Sequence, residues 1–361
     1  MVDVARIALV ISTRIHGPAD TLPTYRGFAL AMEDIAAARP AGARPIEWRM
    51  FDDHGDTDLT RKLAAEMVAD PSYVAAVGPM GSSEAFANAP IFDEAGLLQV
   101  SPCASHPDLC RRGYRTFFRL VPNEEVQGRE LARVARHVLG AARVAIVHDE
   151  DAFGTTVADN FARGFTDDLG GTIAVRASFS EQQDTYAEVA AAVAAAGADV
   201  VFFGVHSHGG KLVSSAIRAA GVTAPFLGTD GLKTSFYLGG GDDGEAYHTH
   251  TGADFRRLPS AAALRDAYVA RWPEDSTYSP EAYDSALLAV RAIDAATELT
   301  RPAVLEAFRA LGPQEGVTGT IRFDATGERL GSPVSLYRVT LDADGQREMS
   351  YQGTTDELAA A

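Results

Sequence analysis

The sequence lacks any run approaching the roughly 20 consecutive apolar residues needed to cross a bilayer. It also lacks a basic excess: 32 Lys and Arg stand against 49 Asp and Glu, a net charge of −17. Such a chain repels polyanions, which excludes nucleic acid as a partner and direct insertion into an anionic membrane. A small ligand stays open, because a local site can oppose the global field. Cysteine is scarce. Only Cys103 and Cys110 occur, at a spacing that fits no zinc or CxxC motif. They are close enough to close a small loop in an oxidising compartment; a disulfide and two free thiols are both open. The start, Met1 to Val10, has no basic segment, apolar stretch and cleavage site in succession, and reads directly into a strand. Either the chain is cytosolic or a leader has been removed.

Catalytic signatures are missing too. There is no GxSxG elbow, no Walker A loop, no GxGxxG after the first strand and no HExxH pair. Gly239-Gly240-Gly241 follows no strand and reads as a loop. His206-Ser207-His208 could offer two metal ligands on one face of an extended segment. With no Cys or carboxylate cluster beside it, a polar strand-to-helix loop is the better reading. Asp52, Asp53, Asp56 and Asp58 lack the alternation and terminal Glu of a calcium loop, and suit a solvated loop and helix N-cap. No cofactor, metal or catalytic residue is expected.

What remains is an ordinary globular composition, 46% apolar and 22% charged, in 361 residues. That length suggests about two domains. Strand-like runs alternate with amphipathic helical ones, as in parallel sheets covered by helices. Arg6–Ser12, Ile46–Phe51, Tyr73–Gly78 and Leu97–Ser101 read as strands, with helices at Tyr25–Ala38, Leu59–Ala69 and from the Gly81-Ser82-Ser83 loop to about Ala95. A second unit follows Thr116–Val121. It has helices at Glu125–Leu139, Thr156–Asp168, Tyr186–Ala196 and Gly210–Ala220, and strands at Arg143–His148, Thr172–Phe179, Asp199–Gly204 and Pro225–Gly228. From about Thr251 the helical patterns Ala261–Arg271, Pro280–Thr297 and Pro302–Leu311 succeed one another with no intervening strand. Such helices cannot cover a new sheet, so they are expected to pack back onto the first unit. Gly319–Asp324 and Pro333–Leu341 read as strands, with a hairpin-like turn at Asp342-Ala343-Asp344-Gly345.

The prediction is an α/β chain of two doubly wound parallel-sheet lobes: residues 1–121 with 251–332, and residues 122–250 with 333–361. Repeated crossing implies a multi-strand hinge that permits closure. Ligands of open α/β sheets sit outside the carboxyl ends of the strands, where helix N-termini offer unpaired N–H groups to anions. Gly81-Ser82-Ser83 suits a carboxylate there, though either serine would also serve as a simple N-cap.

Several motifs run in register along the chain: Gly78-Pro79-Met80-Gly81-Ser82-Ser83, Gly96 to Leu109, Arg112-Gly113-Tyr114, Val121-Pro122-Asn123 with Gln127-Gly128, and Val144 to Asp149 with Phe153-Gly154. Asp199 to Gly204, Phe226 to Gly231, and Gly316 to Asp324 continue the series. Together they closely resemble the leucine/isoleucine/valine-binding protein family, the type I periplasmic solute-binding proteins of ABC importers. The resemblance implies that Ser82 and Ser105 bind a ligand α-carboxylate, with help from backbone amides around Ser83 and Ala104. It also implies that the Cys103 carbonyl and Asp230 receive an α-ammonium, and that Phe153 and His206 close the pocket. Asp230 would otherwise cap the next helix.

Departures are visible. The positions of a disulfide found in some family members are Gly55 and Gly81 here. The usual pocket tyrosines are Phe153 and His206, and Gly17–Tyr25 is shortened. The amino-acid grip looks retained while the side-chain pocket looks altered, open to a branched-chain residue or to a larger, more polar one. The reading implied is a monomeric periplasmic or extracellular receptor, lipid-anchored or secreted, that captures an amino-acid-like ligand and releases it unchanged to an ABC permease. The alternative is a ligand-sensing domain, for which a cytoplasmic location is open; an enzyme is disfavoured.

Overall fold

A computed structural model describes residues 4–13, 17–180, 183, 185–233, 244–272, 277–341, 344 and 346–360. The chain divides into two compact units, Met1–Val121 with Phe255–Ser332 and Pro122–Asp254 with Pro333–Ala361. Residues 251–254, given to the first unit from the sequence, fall in the second. The strand pairing that ends at His250 and Ser335 leads directly into them, and a hydrogen bond from Ser335 Oγ to the Gly252 carbonyl (2.7 Å) holds them there.

In chain order the first unit runs β1 (Ala5–Ile11), α1 (Gly17–Ala38), β2 (Ile46–Asp52), α2 (Thr57–Ala69), β3 (Tyr73–Val77), α3 (Ser82–Ala95), β4 (Leu98–Ser101), α4 (Asp108–Arg111) and β5 (Phe117–Arg119). The second unit then supplies α5 (Glu124–Arg133), β6 (Arg143–Asp149), α6 (Ala152–Arg163), β7 (Thr172–Phe179), α7 (Ala187–Ala196), β8 (Val200–Gly204), α8 (Ser207–Ala219), β9 (Phe226–Gly228) and β10 (Ala246–His250). The chain returns to the first unit for α9 (Ala262–Arg271), α10 (Ser279–Ala295), α11 (Arg301–Ala310), β11 (Gln314–Gly316) and β12 (Gly319–Ile321). It ends in the second with β13 (Ser335–Leu341), β14 (Arg347–Thr354) and α12 (Thr355–Ala360).

The first sheet is parallel throughout, in the order β2-β1-β3-β4-β5. Side chains alternate across a strand, and β1 shows it: Ile7, Leu9 and Ile11 pack with α1, α10 and α11, while Ala8 and Val10 pack with Ala64, Met67 and Phe92 of α2 and α3. Both faces are therefore buried, which is why these strands read as near-continuous apolar runs. Asp56 caps α2 by accepting from the amides of Asp58 (2.8 Å) and Leu59 (3.0 Å), while the neighbouring Asp53 is buried and bonded by the Ser12 hydroxyl. The acidic group at 52–58 is thus a structural turn.

The second sheet has the order β14-β13-β10-β9-β8-β6-β7. It is parallel from β7 to β10, as expected, and β13 runs antiparallel to both β10 and β14, so the C-terminal segment adds a mixed edge. α1 starts at Gly17 rather than Tyr25, because Gly17-Pro18 and Pro23 read as breakers in sequence. α5 and α6 each continue into a wider turn, at Val134–Val138 and Gly164–Asp168. The Gly239-Gly240-Gly241 loop, and residues 342, 343 and 345 of the anticipated turn, lie outside the described residues. Among the described residues, no helix is long and apolar enough to cross a membrane.

One buried acid sets a pH dependence. Asp284 of α10 accepts from the Val317 amide, the Thr318 amide (both 2.8 Å) and the Thr318 hydroxyl (2.6 Å). Burial outweighs these bonds and pushes its carboxyl up to about 6. A raised folded-state value means that Asp284 favours folding when protonated, and that this contribution fades as pH rises through about 6. Chemical denaturation should therefore show Asp284 contributing about 1 kcal/mol more to stability at pH 5 than at pH 7. Asp284→Asn should remove that increment; an identical pH profile in both proteins would contradict the assignment.

Candidate functional site

In the first unit, the chemistry gathers at the carboxyl ends of β3, β4 and β5. The segment after β3 leads into α3, with Gly81 as N-cap and Ser82 and Ser83 at the first two helical positions. The N-cap residue, a glycine, has no side chain to cap this helix start. Ser82 is buried, and its hydroxyl oxygen accepts from the His106 amide (3.2 Å). That bond ties α3 to the loop after β4, which carries Cys103, Ala104 and Ser105. Ser101 fixes the same loop from below, donating to the Pro79 carbonyl (3.0 Å) and accepting from the Ala104 amide (3.0 Å). The Cys103 thiol donates to the Met80 carbonyl at 3.3 Å. Ser82, Ala104 and Ser105 are all buried, and Cys103 is partly so.

The disulfide left open in the sequence is not formed: Cys103 and Cys110 are both thiols. Cys103 points at Met80, whereas Cys110 lies among Ala85, Ala104, Leu109 and Phe117. Burial pushes the Cys110 thiol up to about 12, which keeps it inert.

Two residues of this half were not singled out from sequence. Glu84, buried in the first turn of α3, brings Oε2 within 2.0 Å of where a Gly81 Cβ would stand. Only glycine fits there, and a carboxylate lies at the helix N-terminus where the dipole favours it. Arg119, at the end of β5, is fully buried and forms a two-pronged ion pair with Glu328. Its remaining nitrogen donates to the carbonyls of His106 (2.7 Å) and Ala104 (3.4 Å). Arg119 thus holds the loop of Cys103–Ser105 by its backbone.

In the second unit the relevant residues close the adjacent parallel strands β6, β8 and β9. Asp149 ends β6, His206 precedes α8 just after β8, and Asp230 lies in the short turn after β9. Asp149 Oδ2 accepts from the His206 backbone amide (2.9 Å) and faces His206 Nδ1 at 3.1 Å. Phe153, in the first turn of α6, stacks obliquely on the His206 ring with centroids 5.1 Å apart. Asp230 is buried, and its carboxylate accepts from the Gln127 side-chain amide, which also donates to Thr249 Oγ1 (3.2 Å). Thr229, not Asp230, occupies the N-cap position of that turn. Phe153 and His206 are therefore brought together, with Asp230 on the next strand end. His208 lies exposed on α8, apart from them. Among the described residues, no three His, Cys, Asp or Glu side chains are grouped to hold a metal ion.

Two α/β units with polar groups at their strand ends define a ligand-binding protein of the two-lobed α/β class. The sequence matches the periplasmic binding protein family over residues 10–346, and the chain belongs to that family. This is a family of solute receptors rather than of enzymes. An "Amino acid binding protein" of Pseudomonas aeruginosa is 27% identical over 317 residues, covering 87% of this chain and 84% of its own. A leucine-, isoleucine-, valine-, threonine- and alanine-binding protein of the same organism is 26% identical over 320 residues (88% and 85%). A leucine binding protein from Thermotoga maritima superposes with a TM-score of 0.87 at 21% identity, covering 97% of this chain and 98% of its own, and so shares the fold.

Removing Arg119 should break both the loop and the unit. Arg119→Ala leaves Glu328 without its buried partner and should cost about 3–5 kcal/mol in denaturant unfolding. A loss below about 1 kcal/mol would show that the pair does not support the loop.

Proposed function

We propose that the protein is an extracytoplasmic receptor that captures an α-amino acid and passes it, chemically unchanged, to the permease of an ABC importer. The observation that carries this reading is the opposite polarity of the strand ends in the two units. The first unit offers hydroxyls and helix-start amides at Ser82, Ser83 and the loop through Ser105, which suits a carboxylate. The second offers a buried carboxylate, Asp230, oriented by Gln127, which suits an ammonium. An α-amino acid carries one group of each kind. The Cys103 carbonyl adds an acceptor for the ammonium, and Phe153 with His206 receives the side chain. The names of the two Pseudomonas aeruginosa relatives favour the same ligand class.

Asp230→Ala should weaken amino-acid binding in calorimetry by about 2–5 kcal/mol, through loss of the charge facing the ammonium. Unchanged affinity would sink the assignment of Asp230. A thermal-shift screen tests the other half. α-Amino acids should raise the unfolding temperature, while the corresponding decarboxylated amines should leave it where it was. Equal stabilisation by both would mean that Ser82 and Ser105 do not hold a carboxylate.

A further inference from the structure

The first unit holds a second concave feature where α4 leads into β5, a cavity of about 640 Å³. Small-molecule sites span roughly 300–1,000 Å³, so the space suits a compact ligand. Neither Ser82 nor the loop from Cys103 to Ser105 lines it, which sets it apart from the amino-acid grip. Gly113 turns the chain there with a left-handed φ of 80°, a conformation glycine adopts without strain. Arg111 before that turn and Arg115 after it both line the cavity. The facing wall comes from α11, through Pro302, Leu305, Glu306 and Arg309. Those four positions follow the spacing of a single helical face.

The chemistry of the lining is apolar with a cationic excess. Tyr114, Pro302 and Leu305 give it carbon surface, and Cys110 adds an uncharged thiol, since burial pushes that group up to about 12. Three exposed arginines, Arg111, Arg115 and Arg309, stand against Glu306, the one carboxylate among the described lining residues. This is a local reversal of sign in a chain of net charge −17. Arg309 donates to the Arg115 carbonyl (2.5 Å) and lies over the Phe118 ring, 5.4 Å from its centroid. A carbonyl and a ring face hold a guanidinium in place without cancelling its charge. Among the described residues, no carboxylate pairs with it. The Arg115 guanidinium is 3.9 Å from Asp93 Oδ2, while Asp93 Oδ1 accepts from the backbone amides of Arg115 (2.6 Å) and Thr116 (3.2 Å).

We propose that this cavity is a second ligand site, which takes a small organic carboxylate with an aromatic or branched apolar body and no ammonium group. A guanidinium presents a planar fork that matches a carboxylate and forms charge-assisted bonds with it. The carbon surface of Tyr114, Pro302 and Leu305 receives the apolar body, which a bare inorganic anion lacks. An α-ammonium would meet like charge from the surrounding arginines, so a free amino acid is a poorer occupant than the corresponding acid without its amino group. The two sites of the first unit thereby divide by charge: the grip suits a zwitterion, and this cavity an anion.

Calorimetry with phenylacetate, phenylacetamide and acetate tests this. Phenylacetate should bind at least tenfold tighter than phenylacetamide, which keeps the body and loses the charge. It should exceed acetate, which keeps the charge and loses the body, by the same margin. L-Phenylglycine, the same acid carrying an α-ammonium, should not displace it. Arg309→Ala should weaken phenylacetate binding at least tenfold. If that variant does not fold, Arg115→Ala reads the same loss, because the bonds that Arg115 makes to Asp93 Oδ1 and to Arg309 come from its backbone and survive the change. The proposal is overturned if phenylacetate does not bind, or binds no better than either control. It is equally overturned if L-phenylglycine displaces phenylacetate, or if neither arginine substitution moves its affinity. Each of those results leaves the amino-acid reading untouched, since no residue of the grip is altered.

Discussion

Parallel strands buried on both faces leave polar chemistry few places to go, and the row of loops at their carboxyl ends is the main one. Every candidate residue in this protein obeys that constraint. β3, β4 and β5 lead to Ser82, to Cys103 through Ser105, and to Arg119; β6, β8 and β9 lead to Asp149, His206 and Asp230. Helix N-termini fall in the same row, so donors and acceptors accumulate without any element being built for them. The two sheets load their ends oppositely. The first ends in hydroxyls and amides, with Arg119 beneath the loop, and the second ends in two buried carboxylates.

The buried charges are settled in different ways, and the differences divide structure from function. Arg119 is matched by Glu328 and two carbonyls, a closed arrangement whose effect is to fix a loop. Asp284 is matched by three donors but still sits high enough to titrate near neutrality. Asp230 has a neutral side-chain amide as its donor from Gln127. That bond links the turn after β9 to α5 and orients the carboxylate.

The sequence was legible where one physical cause dominated. Strands β1, β3, β6 and β8 announce themselves because both faces are covered and their interiors are apolar. β10 does not: Ala-Tyr-His-Thr-His reads as polar, yet His248 is wholly buried and burial drives its imidazole down to about 3. β14 mixes exposed and half-buried residues and gives no period. The same divide runs through the site. Ser82, Ser105 and Asp230 lie in local strand-to-helix motifs that can be read along the chain. Arg119 and Asp149 owe their roles to Glu328 and His206, which stand 209 and 57 residues away, and Gln127 to Asp230, 103 residues away. No local pattern encodes such pairings.

Asp149 shows what such a pairing does. At the end of β6, a carboxylate bonded to a backbone amide in the loop after the neighbouring strand β8 is a structural fixture, and it would be one whatever residue stood at 206. With an aromatic hydrocarbon there, the second bond would vanish. With histidine the same carboxylate reaches the ring as well as the backbone amide. A carboxylate at the end of one parallel strand thereby fixes both the main chain and the side chain of a residue at the end of its neighbour, so the strand-end loops of this unit are positioned by one another as much as by the sheet beneath them.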